Sequence, residues 1–445
     1  MRTLWGRAAG KRVLVSMPNV RQYGHCALEI LQSFAEAAEH NASVFFVYPR
    51  KLSICALFEL EPETVTVLRP NPVTALRLRW RIRHDEWREG MERKALLAAE
   101  RVKDELRTEL WRHMSRPGIH PTVRNDLKRL KSRLKRPFRF ENWVSGLRVE
   151  RQNYYRRRQL RYPVPVTLRP AALAAARAQA QALGLADDAR IVTLHAREAG
   201  YKLGAEMQDT KPKTGRDDSV RNVRIDSYYL AMDYLVARGY TVVRIGDPSM
   251  TPVHRPGVID LASSPHRSTL LELYCLLKSE FLIGSDSGPS VVAYLTNTPL
   301  VCTNCTEPVA AYPIRERSLY TVKGVIERET GRRLSLRDLL GPDYLTSFRN
   351  SRKYQYVDNT PEEIVEAVEE MIEMLAGRAP LTPAQIAFKE AVLEAEAALR
   401  QVSGYVRKWG ADEGFMGDGR IGAGFADRYL ESPVGTPSAA LQGGV

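Results

Sequence analysis

Along this chain, segments with the hydrophobic pattern of a strand alternate with segments that have the pattern of a helix. This order predicts a parallel sheet flanked by helices. KRVLVSM (11–17) and SVFFVYP (43–49) are rich in β-branched and aromatic residues, as strands are. CALEILQSFAEAAEH (26–40), which lies between them, has the three- and four-residue apolar spacing of a helix. The order strand, helix, strand predicts a β-α-β unit at the start of a doubly wound domain.

A second series of the same kind runs from about Pro170 to Asp358. Its predicted helices and strands are PAALAAARAQAQALGL, RIVTLHA, DSYYLAMDYLVARG, YTVVRIG, STLLELYCLLKS, EFLIGSDSG, PSVVAYLTN and TPLVCTN. Asp226 is predicted to cap the helix DSYYLAMDYLVARG, and Gly239 is predicted to end it. After this series, Thr360 and Glu363 have the spacing of a capping box at the start of a further helix.

These patterns predict an α/β chain with two Rossmann-like, doubly wound domains that face each other across a cleft. The expected parts are an N-terminal acceptor-side domain (1–170) with a basic helical insertion at about 74–165, a C-terminal donor-binding domain (171–358) and C-terminal helices (359–402). The last part, a glycine-rich segment (403–445), is expected to be a loosely structured tail or a strap over the surface. Open parallel sheets bind ligands at the carboxyl ends of their strands. We therefore expect the site in the cleft, at those strand ends.

The net charge of +14 is concentrated in one region. Residues 74–170 contain 27 Lys and Arg against 11 Asp and Glu, a net charge of +16 by subtraction. Basic and apolar residues recur there at helical spacing, as in a helix that binds an anionic membrane surface or a phosphorylated, lipid-linked substrate. A solvated helix face explains the pattern equally well. Nucleic acid is the less favoured partner, because the chain has no zinc-finger spacing, no RNA-binding aromatic motif and no repeats.

Other features narrow the class of protein. No run approaches the roughly 18 apolar residues of a membrane span, and the first residues lack the apolar segment of a signal peptide. We expect a cytoplasmic protein that is peripheral at the inner face of the plasma membrane through its basic region. The five scattered cysteines predict free thiols. Cys302 and Cys305 form a C-x-x-C without a second pair or a nearby histidine, so we expect no metal there.

Polar residues follow three of the predicted strands. They are His195 and Arg197 after the first, Arg244, Gly246 and Asp247 after the second, and Asp286, Ser287 and Gly288 after the third. Taken singly, they fit ordinary structural roles, such as an Arg197–Glu198 ion pair and a core histidine. Taken together, they predict an anion site, because a guanidinium group binds phosphate in bidentate fashion and keeps its charge when desolvated.

The turn GSDSGPS (284–290) fits this prediction. Gly284 and Gly288 allow a tight turn, Pro289 suits the first turn of a helix, and Ser287 and Ser290 offer hydroxyl groups. The start of a helix favours an anion such as a diphosphate. A helix that merely caps itself fits the same residues, and the chain has neither a P-loop nor a G-x-G-x-x-G motif.

HAREAGYK, SVRNVRIDSYYLAMDYLVARGYTVVRIGD and EFLIGSDSGPSVVAYLTNTPLVCTN together resemble a family of bacterial glycosyltransferases found among surface-polysaccharide genes. The H-x-R and D-S pair is similar to that of O-fucosyltransferases, and the D-S-G turn is similar to that of heptosyltransferases. The resemblance covers roughly 191–304, with weaker similarity in RQYGHCALE and GRIGAGFADRYLE. It implies the GT-B fold and transfer of a sugar from a nucleotide diphosphate-sugar to a glycan or lipid-linked acceptor.

The resemblance also implies roles for individual residues. Arg197 would hold the β-phosphate of the donor and stabilise the charge of the leaving group, with His195 beside it. The remaining donor-binding residues would be Arg221, Asn222, Arg244, Asp247, Asp286, Ser287, Gly288 and Ser290. The co-substrate would be the nucleotide sugar, with no further cofactor. No metal ion is expected, since arginine and a helix start can replace it and the chain lacks a D-x-D motif.

The acceptor side is more open. His25, in RQYGHCALE, is the candidate general base, and an ordinary polar role at a helix start fits it equally well. Glu198, Asp217 and Asp218 are competing candidates, the last two within the polar insertion GAEMQDTKPKTGRDDS. The alternative function is a basic protein that binds nucleic acid or a membrane surface and uses its Rossmann-like domains only as a scaffold.

Overall fold

The structure is a computed structural model. It describes residues 2–8, 11–18, 23–46, 53–68, 143–144, 147–148, 163–199, 217–308, 315–399 and 418–434. The strands are β1 Arg2–Ala8, β2 Lys11–Met17, β3 Ser43–Phe46, β4 Leu60–Pro62, β5 Trp143–Val144, β6 Leu147–Arg148, β7 Val166–Leu168, β8 Ile191–His195, β9 Thr241–Arg244, β10 Val258–Asp260, β11 Ser279–Gly284, β12 Leu300–Cys305, β13 Ser318–Val322, β14 Gly324–Glu327, β15 Tyr354–Val357 and β16 Arg420–Ile421. The α-helices are α1 Tyr23–Glu39, α2 Pro170–Ala182, α3 Tyr229–Val236, α4 Thr269–Lys278, α5 Gly288–Thr296, α6 Leu336–Leu339, α7 Pro342–Ser347, α8 Pro361–Leu375, α9 Pro383–Leu399 and α10 Ala423–Tyr429.

The fold is mixed α/β, as predicted, and its largest element is a seven-stranded sheet. The strands lie in the order β10-β9-β8-β11-β12-β13-β16, and every neighbouring pair in this sheet is parallel. All seven strands therefore end at the same edge. The predicted helices and strands between 170 and 304 are present, and strands β10, β13 and β16 were not foreseen.

Alternate residues of the central strands point to opposite faces of this sheet, and helices cover both faces. Val192 and Leu194 of β8 belong to one hydrophobic cluster together with Phe281 of β11, α3 and α8. Ile191 and Leu282 belong to a second cluster, which includes residues of α4 and α5. A strand that is buried on both faces reads as a continuous apolar run, which explains why these strands were recognisable in the sequence.

The N-terminal residues form a smaller sheet that contacts the larger one through helices. β2 pairs with β3 in parallel, and α1 connects them, which confirms the predicted β-α-β unit. β1 pairs antiparallel with β2 and was not predicted. Helix α1 packs along α5, and residues of both helices belong to one hydrophobic cluster. The proposed domain boundary near 170 stays a prediction.

Two local predictions differ from the structure. Asp226 lies within a 3₁₀ helix, Ile225–Tyr228, and pairs with Arg224 instead of capping α3, because the tighter turn extends the helical segment toward its N-terminus. Part of the expected loose tail is ordered, since Arg420–Ile421 adds β16 to the edge of the large sheet and α10 follows it.

The basic insertion at about 74–165 lies almost wholly outside the described residues. No helix among the described residues is long and apolar enough to cross a membrane.

Candidate functional site

The predicted site residues converge at the edge where the strands of the large sheet end. His195, the last residue of β8, pairs in register with Gly284 at the end of β11. On the other side of β8, Leu194 pairs with Arg244, the last residue of β9. Three polar sequence segments that are distant along the chain therefore lie side by side.

His195 connects the first and third of these segments. Its Nδ1 atom and the hydroxyl oxygen of Ser287 lie 3.0 Å apart, and both side chains are buried. Burial, together with the positive charges of Arg197 and Arg244, lowers the pKa of His195 to about 3. The imidazole is therefore neutral at physiological pH and holds the turn after β11 in place.

Arg197 joins three segments through its backbone. Its N–H group donates to the hydroxyl oxygen of Ser285 at 3.0 Å, and its carbonyl oxygen accepts from the N–H group of Val223 at 2.9 Å. The side chain is half-buried, and its charge acts on His195. The backbone of Arg197 therefore lies at the strand edge, next to the turn after β11, and its charge is near His195.

The turn GSDSGPS leads into α5 as predicted, and its hydroxyl groups have distinct roles. Ser287 is the N-cap residue, but its side chain does not bond to the first N–H groups of α5. The buried Ser290 hydroxyl donates to the carbonyl oxygen of Ser285 at 2.6 Å, which makes it a support of the turn. A Cβ atom on Gly284 would lie 2.3 Å from the Ser290 hydroxyl oxygen, so a larger residue here would displace that hydroxyl.

Asp286 lies at the centre of a charged cluster and is fully buried. Its Oδ2 atom accepts hydrogen bonds from the Thr306 hydroxyl at 2.8 Å and from Nη2 of Arg349, and its Oδ1 atom lies 3.7 Å from Nη1 of Arg221. Burial alone would raise the pKa of Asp286, but Arg349 and Arg221 outweigh it and lower the pKa to about 2. Asp286 is therefore ionised and occupied by protein partners.

Arg221 and Asn222 reach this cluster from the 3₁₀ helix Asp218–Arg221. Nη1 of Arg221 donates to the carbonyl oxygen of Asp286 at 3.3 Å, and its Nη2 atom lies 3.5 Å from Asp218. The carbonyl oxygen of Asn222 accepts from the Lys323 ammonium group at 2.7 Å. The structure therefore brings Arg221 beside the turn after β11, and the role of Asn222 in binding a donor stays a prediction.

Arg244 and Glu198 form a buried ion pair. Nη2 of Arg244 donates to Glu198 at 2.8 Å, and Nη1 lies 3.0 Å from Asp260. The second oxygen of Glu198 accepts from both the N–H and the hydroxyl of Thr251, each at 2.8 Å. The Arg244 guanidinium is enclosed by protein, and the Glu198 carboxylate is engaged in structural contacts. The role of Arg244 in donor binding and that of Glu198 as a base stay predictions.

The two other acidic candidates near this edge also have local partners. Asp247 accepts from the N–H group of Ser249 at 3.0 Å and from its hydroxyl at 2.6 Å. Asp217 accepts in the same way from Ser219 and is the N-cap of its 3₁₀ helix. Most of the polar insertion that precedes Asp217 lies outside the described residues.

His25 lies in the first turn of α1, near enough to Arg221 for the charge of Arg221 to act on it. The starts of α1 and α5 meet so closely that a Cβ atom on Gly24 would lie 3.0 Å from Cα of Gly288. Loss of hydration lowers the pKa of His25 and so does the charge of Arg221, while Glu29 acts in the opposite direction. His25 is exposed, and the net lowering of its pKa favours the neutral imidazole. Its role as a base stays a prediction.

Sequence reasoning missed two cations of this cluster. Arg349 and Lys323 are both buried, and Lys323 pairs with Asp358 at 2.6 Å. Burial lowers the pKa of Lys323, and Asp358 opposes this shift. A basic residue directly after the buried strand β13 was the available signal for Lys323, whereas the residues around Arg349 carry no comparable signal.

The cysteines of the C-x-x-C motif are free and buried, with their sulfur atoms 3.4 Å apart. Among the described residues, no three His, Cys, Asp or Glu side chains are grouped so that they could hold a metal ion. The positive groups described at the strand edge include arginines and Lys323, and they lie near the ionised Asp286 and the start of α5. Such an arrangement can bind an anion and stabilise negative charge on it.

No protein family and no curated protein matches this chain. It is similar in part to the solved structure of a glycosyl transferase of family 9 from Veillonella parvula, with 14% identity and a TM-score of 0.36, over 69% of this chain and 85% of that one. It is also similar in part to ADP-heptose LPS heptosyltransferase II from E. coli, with 11% identity and a TM-score of 0.39, over 81% of this chain and 98% of that one.

Proposed function

We propose that this protein is a glycosyltransferase that moves a sugar from a nucleotide diphosphate-sugar to a hydroxyl group of an acceptor. The observation that carries the proposal is the meeting of Arg197, Arg221 and the start of α5 at the carboxyl edge of the parallel sheet. Two guanidinium groups and free helix N–H groups favour a ligand with several negative charges, such as a diphosphate.

The same groups suit the chemistry of transfer. When the bond between the anomeric carbon and the diphosphate oxygen breaks, negative charge grows on the leaving group, and fixed positive charges stabilise that transition state. We assign this stabilisation to Arg197 and Arg221. The bond that forms joins the anomeric carbon to the acceptor oxygen, and the acceptor proton passes to a base.

We assign the base to His25. Its exposed imidazole lies at the start of α1, where that helix meets α5, and its lowered pKa keeps it ready to accept a proton at neutral pH. The arginines can carry the charge of the leaving group without a divalent cation, so turnover should persist in the presence of a chelator.

A thermal-shift screen with GDP-, UDP-, ADP- and dTDP-sugars tests the donor class. At a concentration of about 100 Kd a bound donor adds about 2.7 kcal/mol to the free energy of unfolding, which gives a measurable rise in the midpoint. Arg197→Ala should abolish this rise. Arg224→Ala is the matched control, because Arg224 is exposed and pairs only with nearby Asp226 in the described structure. No stabilisation of the wild type by any nucleotide sugar would contradict the proposal.

For the acceptor, we propose a lipid-linked glycan that is reached through the basic region at 74–165. Its net positive charge supports this choice, because basic segments are attracted to anionic lipid surfaces. The protein should sediment with vesicles that contain anionic lipid and be released as salt rises. Equal binding to neutral and anionic vesicles, or no binding to either, would remove the membrane part of the proposal.

A further inference from the structure

Arg349 combines a buried charged side chain with an unfavourable backbone conformation. Its side chain is almost fully buried, and its backbone has φ = +63°, in the left-handed region that non-glycine residues rarely adopt. Two backbone hydrogen bonds hold it there: its N–H group donates to the Tyr356 hydroxyl oxygen at 2.6 Å, and its carbonyl oxygen accepts from the N–H group of Asp217 at 2.7 Å. Such an arrangement persists only where the surroundings enforce it.

The guanidinium group of Arg349 links three segments of the candidate site. Nη2 donates to Asp286 in the turn after β11, Nε donates to the Thr306 hydroxyl after β12 at 2.7 Å, and Nη1 lies 3.6 Å from Asp218. Asp218 begins the 3₁₀ helix that ends with Arg221. Arg349 therefore contacts both carboxylates that flank the Arg221 guanidinium.

Arg221 depends on these carboxylates for its position. Its Nη1 and Nη2 atoms lie 3.7 and 3.5 Å from Asp286 and Asp218, respectively, and its only donated bond to the turn after β11 is the one to the Asp286 carbonyl oxygen. We propose that Arg349 is a positioning residue of the anion site, which pairs with Asp286 and Asp218 and thereby holds Arg221 beside the start of α5. This inference rests on the proposed function, because it concerns the same site.

The charges around Asp286 explain why a second arginine is needed. The groups that act on its carboxylate are Arg349, Arg221, Thr306, Lys323 and Cys305. Burial favours the protonated acid, and the arginines offset it. Without Arg349, we expect Asp286 either to take up a proton or to form a closer ion pair with Arg221. In both cases the Arg221 guanidinium would leave the position in which it can bind a ligand.

The first test needs no ligand. Arg349→Met removes the charge and keeps a side chain of similar length, so the pKa of Asp286 should rise toward neutrality. Above that pKa the buried, ionised carboxylate lowers the free energy of unfolding. Below it Asp286 takes up a proton and the loss of stability becomes smaller. The midpoint of thermal unfolding of Arg349→Met should therefore lie about 5 °C or more below that of the wild type at pH 8, and this difference should shrink toward pH 5. Arg349→Lys, which keeps the charge, should show a smaller deficit with little pH dependence.

Asp286→Asn in the Arg349→Met background is the matched control. The neutral amide removes the uncompensated charge, so the double variant should recover part of the midpoint at pH 8 and lose the pH dependence. The proposal would be overturned if Arg349→Met lowered the thermal midpoint equally at all pH values and Asp286→Asn did not restore any of it. Arg349 would then only fill space.

The second test measures ligand binding by the full chain with ADP, GDP, UDP and dTDP. For a nucleoside diphosphate that binds the wild type, Arg349→Met should raise Kd about tenfold, Arg349→Lys should restore most of the affinity, and the effects of Arg349→Met and Arg221→Ala should be less than additive. Additive effects would show that Arg349 does not act through Arg221 and would overturn its positioning role. If the wild type binds none of them, the proposed function fails, and only the pH comparison bears on the Arg349–Asp286 pair.

Discussion

The Nδ1 atom of His195 lies 3.0 Å from the hydroxyl oxygen of Ser287, although the two residues are 92 positions apart in the chain. The contact exists because β8 and β11 are neighbours in the sheet and His195 pairs in register with Gly284. It joins two sequence motifs, H-A-R and G-S-D-S-G, into one buried unit. A buried hydrogen bond of this kind fixes the turn from which α5 starts.

The protonation of His195 can be measured directly. Since burial and two arginines lower its pKa to about 3, its imidazole resonances should not shift between pH 5 and pH 8 in NMR spectra. The resonances are assigned by their loss in His195→Gln. A titration midpoint near the unperturbed value of about 6.5 would show that the imidazole is hydrated and would contradict the buried contact.

Glu198 should behave as a structural residue. Glu198→Gln removes the charge that faces the fully buried Arg244, so we expect the free energy of unfolding to fall by about 2–3 kcal/mol. Asp260→Asn, which removes the other partner of Arg244, should have a similar effect in denaturant titrations. If Glu198→Gln instead kept full stability and abolished turnover, Glu198 would be the catalytic base.

Glu272 should make stability depend on pH. It is buried in α4, accepts from the N–H group of Gly246 at 3.3 Å and from Arg267 at 3.2 Å, and burial raises its pKa to about 7. Its folded pKa lies above its unfolded value, so the stability it contributes is present below about pH 4.5 and is lost as pH rises through about 7. The loss should be on the order of 2–3 kcal/mol between pH 5 and pH 8.

The check for Glu272 is a pH series of denaturant titrations. Glu272→Gln keeps an acceptor for Gly246 and cannot ionise, so its stability should change less over this range than that of the wild type. Identical pH profiles for the two proteins would show that Glu272 titrates near its ordinary value.

The close contact between the starts of α1 and α5 predicts an unusual response to alanine. A methyl group at Gly24 would lie 3.0 Å from Cα of Gly288, which is backbone and cannot move aside cheaply. Helix propensity alone would make alanine the more stable residue, but the clash should lower stability by about 1–3 kcal/mol. Nucleotide-sugar binding should weaken as well, because the two helix starts are displaced. A gain in thermal midpoint for Gly24→Ala would contradict the contact.

The sequence by itself determined the elements around the large sheet. The strands between 190 and 304 are buried on both faces, and the helices carry apolar stripes, so local patterns were sufficient to place them. The capping box at Thr360 and Glu363 was also confirmed, because it depends on neighbouring residues alone. β10, β13 and β16 were missed. β10 and β16, at three and two residues, are too short to show a period.

Only the tertiary structure decided which charges pair. From the sequence, Glu198 was the adjacent partner for Arg197, yet it bonds to Arg244, and Asp286 bonds to Arg349, 63 residues away. An ion pair between distant residues depends on strand order, register and the direction of loops, and none of these is encoded in a local pattern. The sequence therefore predicted polar residues at the ends of the strands, and the packing of the sheet selected which of them pair there.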